Sequence, residues 1–126
     1  MRPGLYFVRY HGLGDQDESK GKGGGYYPIK NGTMKIGLSK NDVTQHWTQY
    51  YPRYGEENVE WRVVFEHADY EVCKRVEKHV HRKLQAFKVK REGNSGRHTT
   101  KEWMFGVTET ELLNTLNEGI ELYAAG

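Results

Sequence analysis

The sequence predicts an α+β domain in which a small, largely antiparallel sheet is flanked by helices. Three observations predict it. Two strand-like runs, Leu5 to Tyr10 and Met34 to Ser39, have no helical pattern between them, so no crossover helix makes them a parallel pair. A third run, Val59 to Phe65, is followed at once by valines at every fourth residue. At 126 residues with 36% hydrophobic content, the chain has enough for one core and too little for two. Residues 1–126 therefore read as a single domain.

Leu5 to Tyr10 is rich in aromatic and β-branched residues and predicts the first strand. His11 to Gly32 holds seven glycines among charges and reads as a surface insertion spanning about 11–32, a long loop joining the strand pair. Met34 to Ser39 predicts the second strand. Asn41 or Asp42 then caps a helix in which Val43, Trp47 and Tyr50 recur at helical spacing, and Pro52 to Gly55 forms the turn that ends it. In the third strand Trp61, Val63 and Phe65 are expected on one face and Val64 on the other. Asp69 caps the longest helix, where Val72, Val76, Val80 and Leu84 form the stripe that packs on the sheet. Lys88 to Lys101 reads as a basic loop and Glu102 to Phe105 as a short strand. Thr108 and Glu111 make a capping box for a last helix with Leu112, Leu113, Leu116, Ile120 and Tyr123 on its apolar face.

A mean hydropathy of −0.90 and the lack of any apolar run near the roughly 20 residues of a membrane span argue against membrane insertion. The first residues carry no long apolar secretory segment, and the single cysteine, Cys73, has no internal disulfide partner. Both point to a reducing, intracellular setting.

The formal charge of +2 hides an uneven distribution. Between Lys74 and Lys101 ten Lys or Arg stand against two Glu, a net of +8, which leaves −6 for the remainder. Lys74, Lys78, Arg82, Lys88, Lys90, Arg91 and Arg97 belong to this segment. It is either a solvated helix face and loop, or a surface that gains free energy on a polyanion by counterion release.

Cys73, Glu77 and His81 are spaced by four on the long helix and share a stripe at the edge of the core. Glu77 is the only carboxylate between Lys74 and Lys83. It is either a solvated acid paired with Lys74 or His81, or a ligand for a hard cation that also takes substrate phosphate oxygens. Zinc is disfavoured because Cys73 lacks a Cys-x-x-Cys partner, and a Cys-His nucleophile is disfavoured because such a cysteine is more often a small buried hydrophobe.

Four words occur in order along the chain: Gly4-Leu5-Tyr6, Lys35-Ile36-Gly37-Leu38-Ser39-Lys40-Asn41, Val76-Glu77-Lys78-His79-Val80-His81, and Glu102-Trp103-Met104-Phe105. This ordered set resembles the GIY-YIG nuclease superfamily, most closely its phage- and virus-associated branch with a Lys-Ile-Gly second word. The resemblance spans residues 4–105. It implies a GIY-YIG-like three-stranded sheet flanked by helices, and one divalent ion, Mg²⁺ or Mn²⁺, held by Glu77. It also implies Tyr6 as general base or hydrogen-bond partner of the attacking water, and a phage or viral protein acting in the cytoplasm or nucleus of a host cell. Lys35 stands where many members carry a second tyrosine, where an ammonium lowers the pKa of a neighbouring phenol or meets phosphate. Gly37 is expected to let backbone and substrate approach, with Ser39 and Lys40 at a turn suited to phosphate.

Members usually place an arginine on the helix after the second word, whereas no arginine occurs between Ser39 and Tyr51. His46, protonated against phosphate, or Arg53 from the following turn are the partial substitutes. The leading reading is a metal-dependent endonuclease with catalytic Tyr6, Lys35, His46 and Glu77, acting on nucleic acid, DNA ahead of RNA. The alternatives are a catalytically weak or inactive nucleic-acid-binding module on the same fold, and a protein-interaction domain.

Overall fold

The computed structural model describes residues 2–18, 26–90 and 99–124. The strands are β1 (Gly4–Tyr10), β2 (Asp15–Glu18), β3 (Tyr26–Ile29), β4 (Met34–Ser39), β5 (Val59–Glu66), β6 (Lys88–Lys90) and β7 (Thr99–Met104). The helices are α1 (Tyr51–Tyr54), α2 (Tyr70–Lys83) and α3 (Glu109–Tyr123), and a 3₁₀ helix runs from Val43 to Gln49. The main sheet has the order β5-β1-β4-β7-β6 with every neighbouring pair antiparallel. Among the described residues no helix is long and apolar enough to cross a membrane.

The sheet has five strands rather than the expected three. The expected trio β5-β1-β4 forms one side, and β7 and β6 extend it. Lys88 and Lys90 flank buried Val89, so the segment read as a basic loop alternates as an edge strand does. Three residues are too few to carry a periodic signal against so much positive charge. The insertion at 11–32 likewise holds the β2–β3 hairpin, whose Ile29 is fully buried; its residues 19–25 lie outside the described residues.

The two faces of the sheet bury different chemistry. Leu5, Phe7, Met34 and Ile36 pack with Val76, Val80 and Leu84 of α2 and with Leu112 and Leu116 of α3. Full burial of a Leu, Phe or Ile of this kind contributes on the order of 1.5–3 kcal/mol. Gly119 lets α3 approach α2 closely, since a Cβ there would stand 3.2 Å from His79 Cδ2. The opposite face is tyrosine-rich: Tyr6, Val8, Tyr10, Val43, Tyr50, Tyr54 and Trp103 form its core.

Asp69 and Thr108 cap α2 and α3 by accepting from Glu71 N at 2.9 Å and Glu111 N at 3.1 Å. Asp42 accepts from Thr44 N at the start of the 3₁₀ helix. The helix expected there is 3₁₀ rather than α, and Pro52 to Gly55 is not simply its terminating turn. Pro52 lies in the first turn of the separate helix α1, which Gly55 ends at φ +89°. In β5 the pairing shifts between Leu5, opposite Phe65, and Tyr6, opposite Val63. This bulge turns Phe65 to the α2 face with Val64, away from Trp61 and Val63, so the expected alternation fails at one residue.

Candidate functional site

Strand alternation places Tyr6 on the tyrosine-rich face, directly opposite Gly37 on β4. The Tyr6 ring is only 3% exposed. Its Oη lies 2.7 Å from Tyr50 Oη, and the His46 ring stacks on it at 4.6 Å with planes 22° apart. Trp61 stands at 6.0 Å, with ring planes 28° apart from Tyr6. A Cβ on Gly37 would overlap Tyr6 Cζ and Oη. The space at Gly37, expected to admit substrate, is taken by the phenol of Tyr6.

Strands β4 and β7 share the register pair Met34–Met104. Lys35 follows Met34 and is 8% exposed. Its Nζ lies 2.6 Å from Glu102 Oε2, 4.9 Å from the Tyr50 ring centroid and 5.1 Å from that of Trp103. Burial raises the Tyr6 pKa well above the usual phenol range. Lys35 pulls it down, but Tyr50 and Glu102 push it further up. The expected lowering of the phenol by Lys35 is thus outweighed by desolvation. His46 is lowered from its ordinary value by burial and by Lys35, against the opposing pull of Gln49 and Glu102. An imidazole shifted this way is neutral at neutral pH, contrary to the expectation of a protonated phosphate binder.

Helix α2 supplies the second group. Its Glu77–His81 stripe runs between the buried stripe of Cys73, Val76 and Val80 and the Lys74, Lys78 and Arg82 stripe. His81 Nε2 donates to the Ile36 carbonyl of β4 at 3.1 Å and lies 3.8 Å from Glu77 Oε2. That bond fixes the proton on Nε2. His81 Nδ1 and Glu77 Oε2 are both shielded from solvent and have no hydrogen-bond partner among the described residues. Lys88 is lowered by burial and raised by both Glu102 and Glu77, so it couples electrostatically to the Lys35–Glu102 pair and to the Glu77–His81 pair.

A shielded carboxylate oxygen with no donor of its own suits a hard cation that completes its shell with water and phosphate oxygens. The donor set does not suit zinc. Cys73 is fully buried with its thiol directed at the His67 carbonyl, and among the described residues no three His, Cys, Asp or Glu side chains converge.

The cationic residues are spread over several elements. Lys40 and Lys74 lie over the same Tyr70 ring, at 5.6 and 6.0 Å, which brings the end of β4 to the start of α2. Lys78, Arg82 and Lys90 are exposed, whereas Ser39 is buried. Arg91 and Arg97 lie outside the described residues. Arg53 rests over the Tyr54 ring at 4.6 Å.

Sequence reasoning missed Tyr50 and Glu102 as partners of Tyr6 and Lys35. Tyr50 was visible only as an apolar helix position. Glu102 had a signal, a lone carboxylate beside Trp103 in a strand-forming word, but nothing local indicated which cation it would meet.

The family model of the T5orf172 domain, a domain associated with phage and GIY-YIG-type nuclease-like proteins, matches residues 16–119. The match includes Lys35, His46, Glu77 and Glu102 and begins after Tyr6. No curated protein and no solved structure matches the chain. Matched over residues 16–119 of its 126, the chain belongs to the T5orf172 domain family.

Proposed function

We propose that this chain is a metal-dependent endonuclease that hydrolyses phosphodiester bonds of nucleic acid, DNA ahead of RNA, inside a host cell. The observation that carries the proposal is the Glu77 Oε2 atom beside β4, shielded from solvent and without a hydrogen-bond donor among the described residues, with Lys88 interacting electrostatically with both Glu77 and Glu102. The family's association with nuclease-like proteins and the exposed cations of α2 support the same reading. Glu77 would hold Mg²⁺ or Mn²⁺, which when bound supplies charge neutralisation at the phosphate.

The chain's own groups divide the remaining work. Lys35 and Lys88 meet phosphate oxygens as point charges, with Glu102 holding the Lys35 ammonium in place. Tyr6 remains protonated and orients the attacking water as a hydrogen-bond partner, because burial disfavours its phenolate. His46, stacked on it and neutral, accepts the proton as the water oxygen bonds to phosphorus and the bond to the leaving sugar oxygen breaks, and that oxygen takes its proton from solvent water. Lys78 and Arg82 provide backbone contacts that position the strand without reading sequence.

Two observations favour a second reading, a nucleic-acid-binding module with little turnover. The Tyr6 hydroxyl is already engaged by Tyr50, and no arginine follows β4 before Tyr51. Supercoiled plasmid incubated with Mg²⁺ or Mn²⁺, beside a chelator control, separates the two. Nicking that the chelator stops supports the endonuclease; salt-sensitive retention without nicking supports the module.

A further inference from the structure

A groove bordered by Lys88 lies between β3 and β6. It encloses about 250 Å³ and is lined by Pro28, Lys30, Phe87, Lys88, Lys90 and Phe105. Its volume is below the roughly 300–1,000 Å³ typical of sites that take a whole small molecule, and suits one planar ring. Phe105 is 44% exposed. Its position is fixed by its own backbone, since Phe105 N donates to the Phe87 carbonyl at 2.8 Å. The Lys30 ammonium lies 5.6 Å from the Phe105 centroid, and Lys30 and Lys90 are exposed.

We infer that this groove binds an unpaired nucleotide of a single-stranded segment, its base on the Phe105 ring and its phosphates on Lys30 and Lys90. The inference rests on the nuclease reading and names the form of nucleic acid that the site prefers. A half-exposed aromatic ring with the Lys30 ammonium over one face, and Lys90 lining the same groove, matches a nucleotide in both parts, with the other π-face for the base and cations for the phosphates. Paired bases in a duplex are stacked on each other and present no face to Phe105, so the groove selects single-stranded ends, flaps or gaps. Lys88 lines the groove and is also coupled to Glu77 and Glu102, so the unpaired nucleotide lies next to the centre proposed to cut.

The test measures fluorescence anisotropy of labelled oligothymidine, oligouridine and a duplex of equal length, in chelator so that no strand is cut. The proteins are wild type, Phe105→Ala and Lys30→Gln, both substitutions at exposed positions. Phe105→Ala is expected to weaken both single strands roughly tenfold and leave the duplex unchanged. Lys30→Gln is expected to lower the slope of log affinity against log salt by about 0.7 on single strands. Weakening confined to oligouridine assigns the groove to RNA, and weakening confined to oligothymidine assigns it to DNA; either supports it. Equal losses on duplex and single strands, or none in either variant, overturn it. Chelator-sensitive plasmid nicking by Phe105→Ala would show in the same preparation that the nuclease reading stands.

Discussion

Tyr6 and Gly37 face each other across β1 and β4, and the phenol occupies the volume that any side chain at Gly37 would need. Gly37→Ala must push the Tyr6 ring from its stack with His46 and from Tyr50 Oη. Overpacking of this kind costs about 1–3 kcal/mol. Urea denaturation should show a lower midpoint with an unchanged slope, and Tyr6→Phe, which keeps the ring, should not relieve the loss. A Gly37→Ala protein as stable as wild type would mean that the ring moves freely.

Lys35 and Glu102 form the second test. Glu102→Gln leaves the Lys35 ammonium, 8% exposed, without its carboxylate at 2.6 Å. Hydrogen bonds to charged groups contribute about 1.5–3 kcal/mol, and the one-third exposure of Glu102 puts the expected loss at the lower end. Adding Lys35→Met removes the stranded charge and should recover part of the stability. A double-mutant cycle with no coupling energy would contradict the pairing.

His46 makes stability depend on pH, falling as pH falls. Its pKa in the folded protein is lowered mainly by burial, so the unfolded chain binds the proton more readily. The His46 contribution to stability is therefore fully present above the ordinary imidazole value near 6.5 and is lost as pH falls through that value to the folded one. Between about pH 7.5 and pH 5.5, His46→Gln should lose less stability than wild type in urea titrations. If it acts as proton acceptor, the same substitution removes the acidic limb of the pH–rate profile for nicking.

Much of the fold was legible because it rests on periodicity and caps. Met34–Ser39 matches its predicted span, β1 and β5 differ from theirs by one residue, and Asp69 and Thr108 cap where their side chains require. The failures have local causes. Val89 alternates between two lysines over too short a run to register, and the β2 sequence Asp-Gln-Asp-Glu has the residues least expected in a strand. Phe65 changes face through a bulge, and a bulge is invisible to a period of two.

For the candidate site, the four words named Tyr6, Lys35 and Glu77 as candidates but not their surroundings. The protonation of Tyr6 depends on burial by Trp61, His46 and Tyr50, which come from distant segments. Likewise, Lys88, lowered by burial, is pulled upward by both Glu102 and Glu77, an effect of the β6–β7 pairing that no local pattern signals.

Under the proposed function, Glu77 serves turnover rather than folding. Glu77→Gln keeps the shape of the side chain and removes its charge, so it should fold with wild-type thermal stability within about 1 kcal/mol. Nicking of supercoiled plasmid in Mg²⁺ or Mn²⁺ should fall at least a hundredfold, on the order of the effect of losing a transition-state charge stabiliser. Plasmid retention at low salt should be unaffected. Equal nicking by Glu77→Gln and wild type, in either metal, would contradict the account.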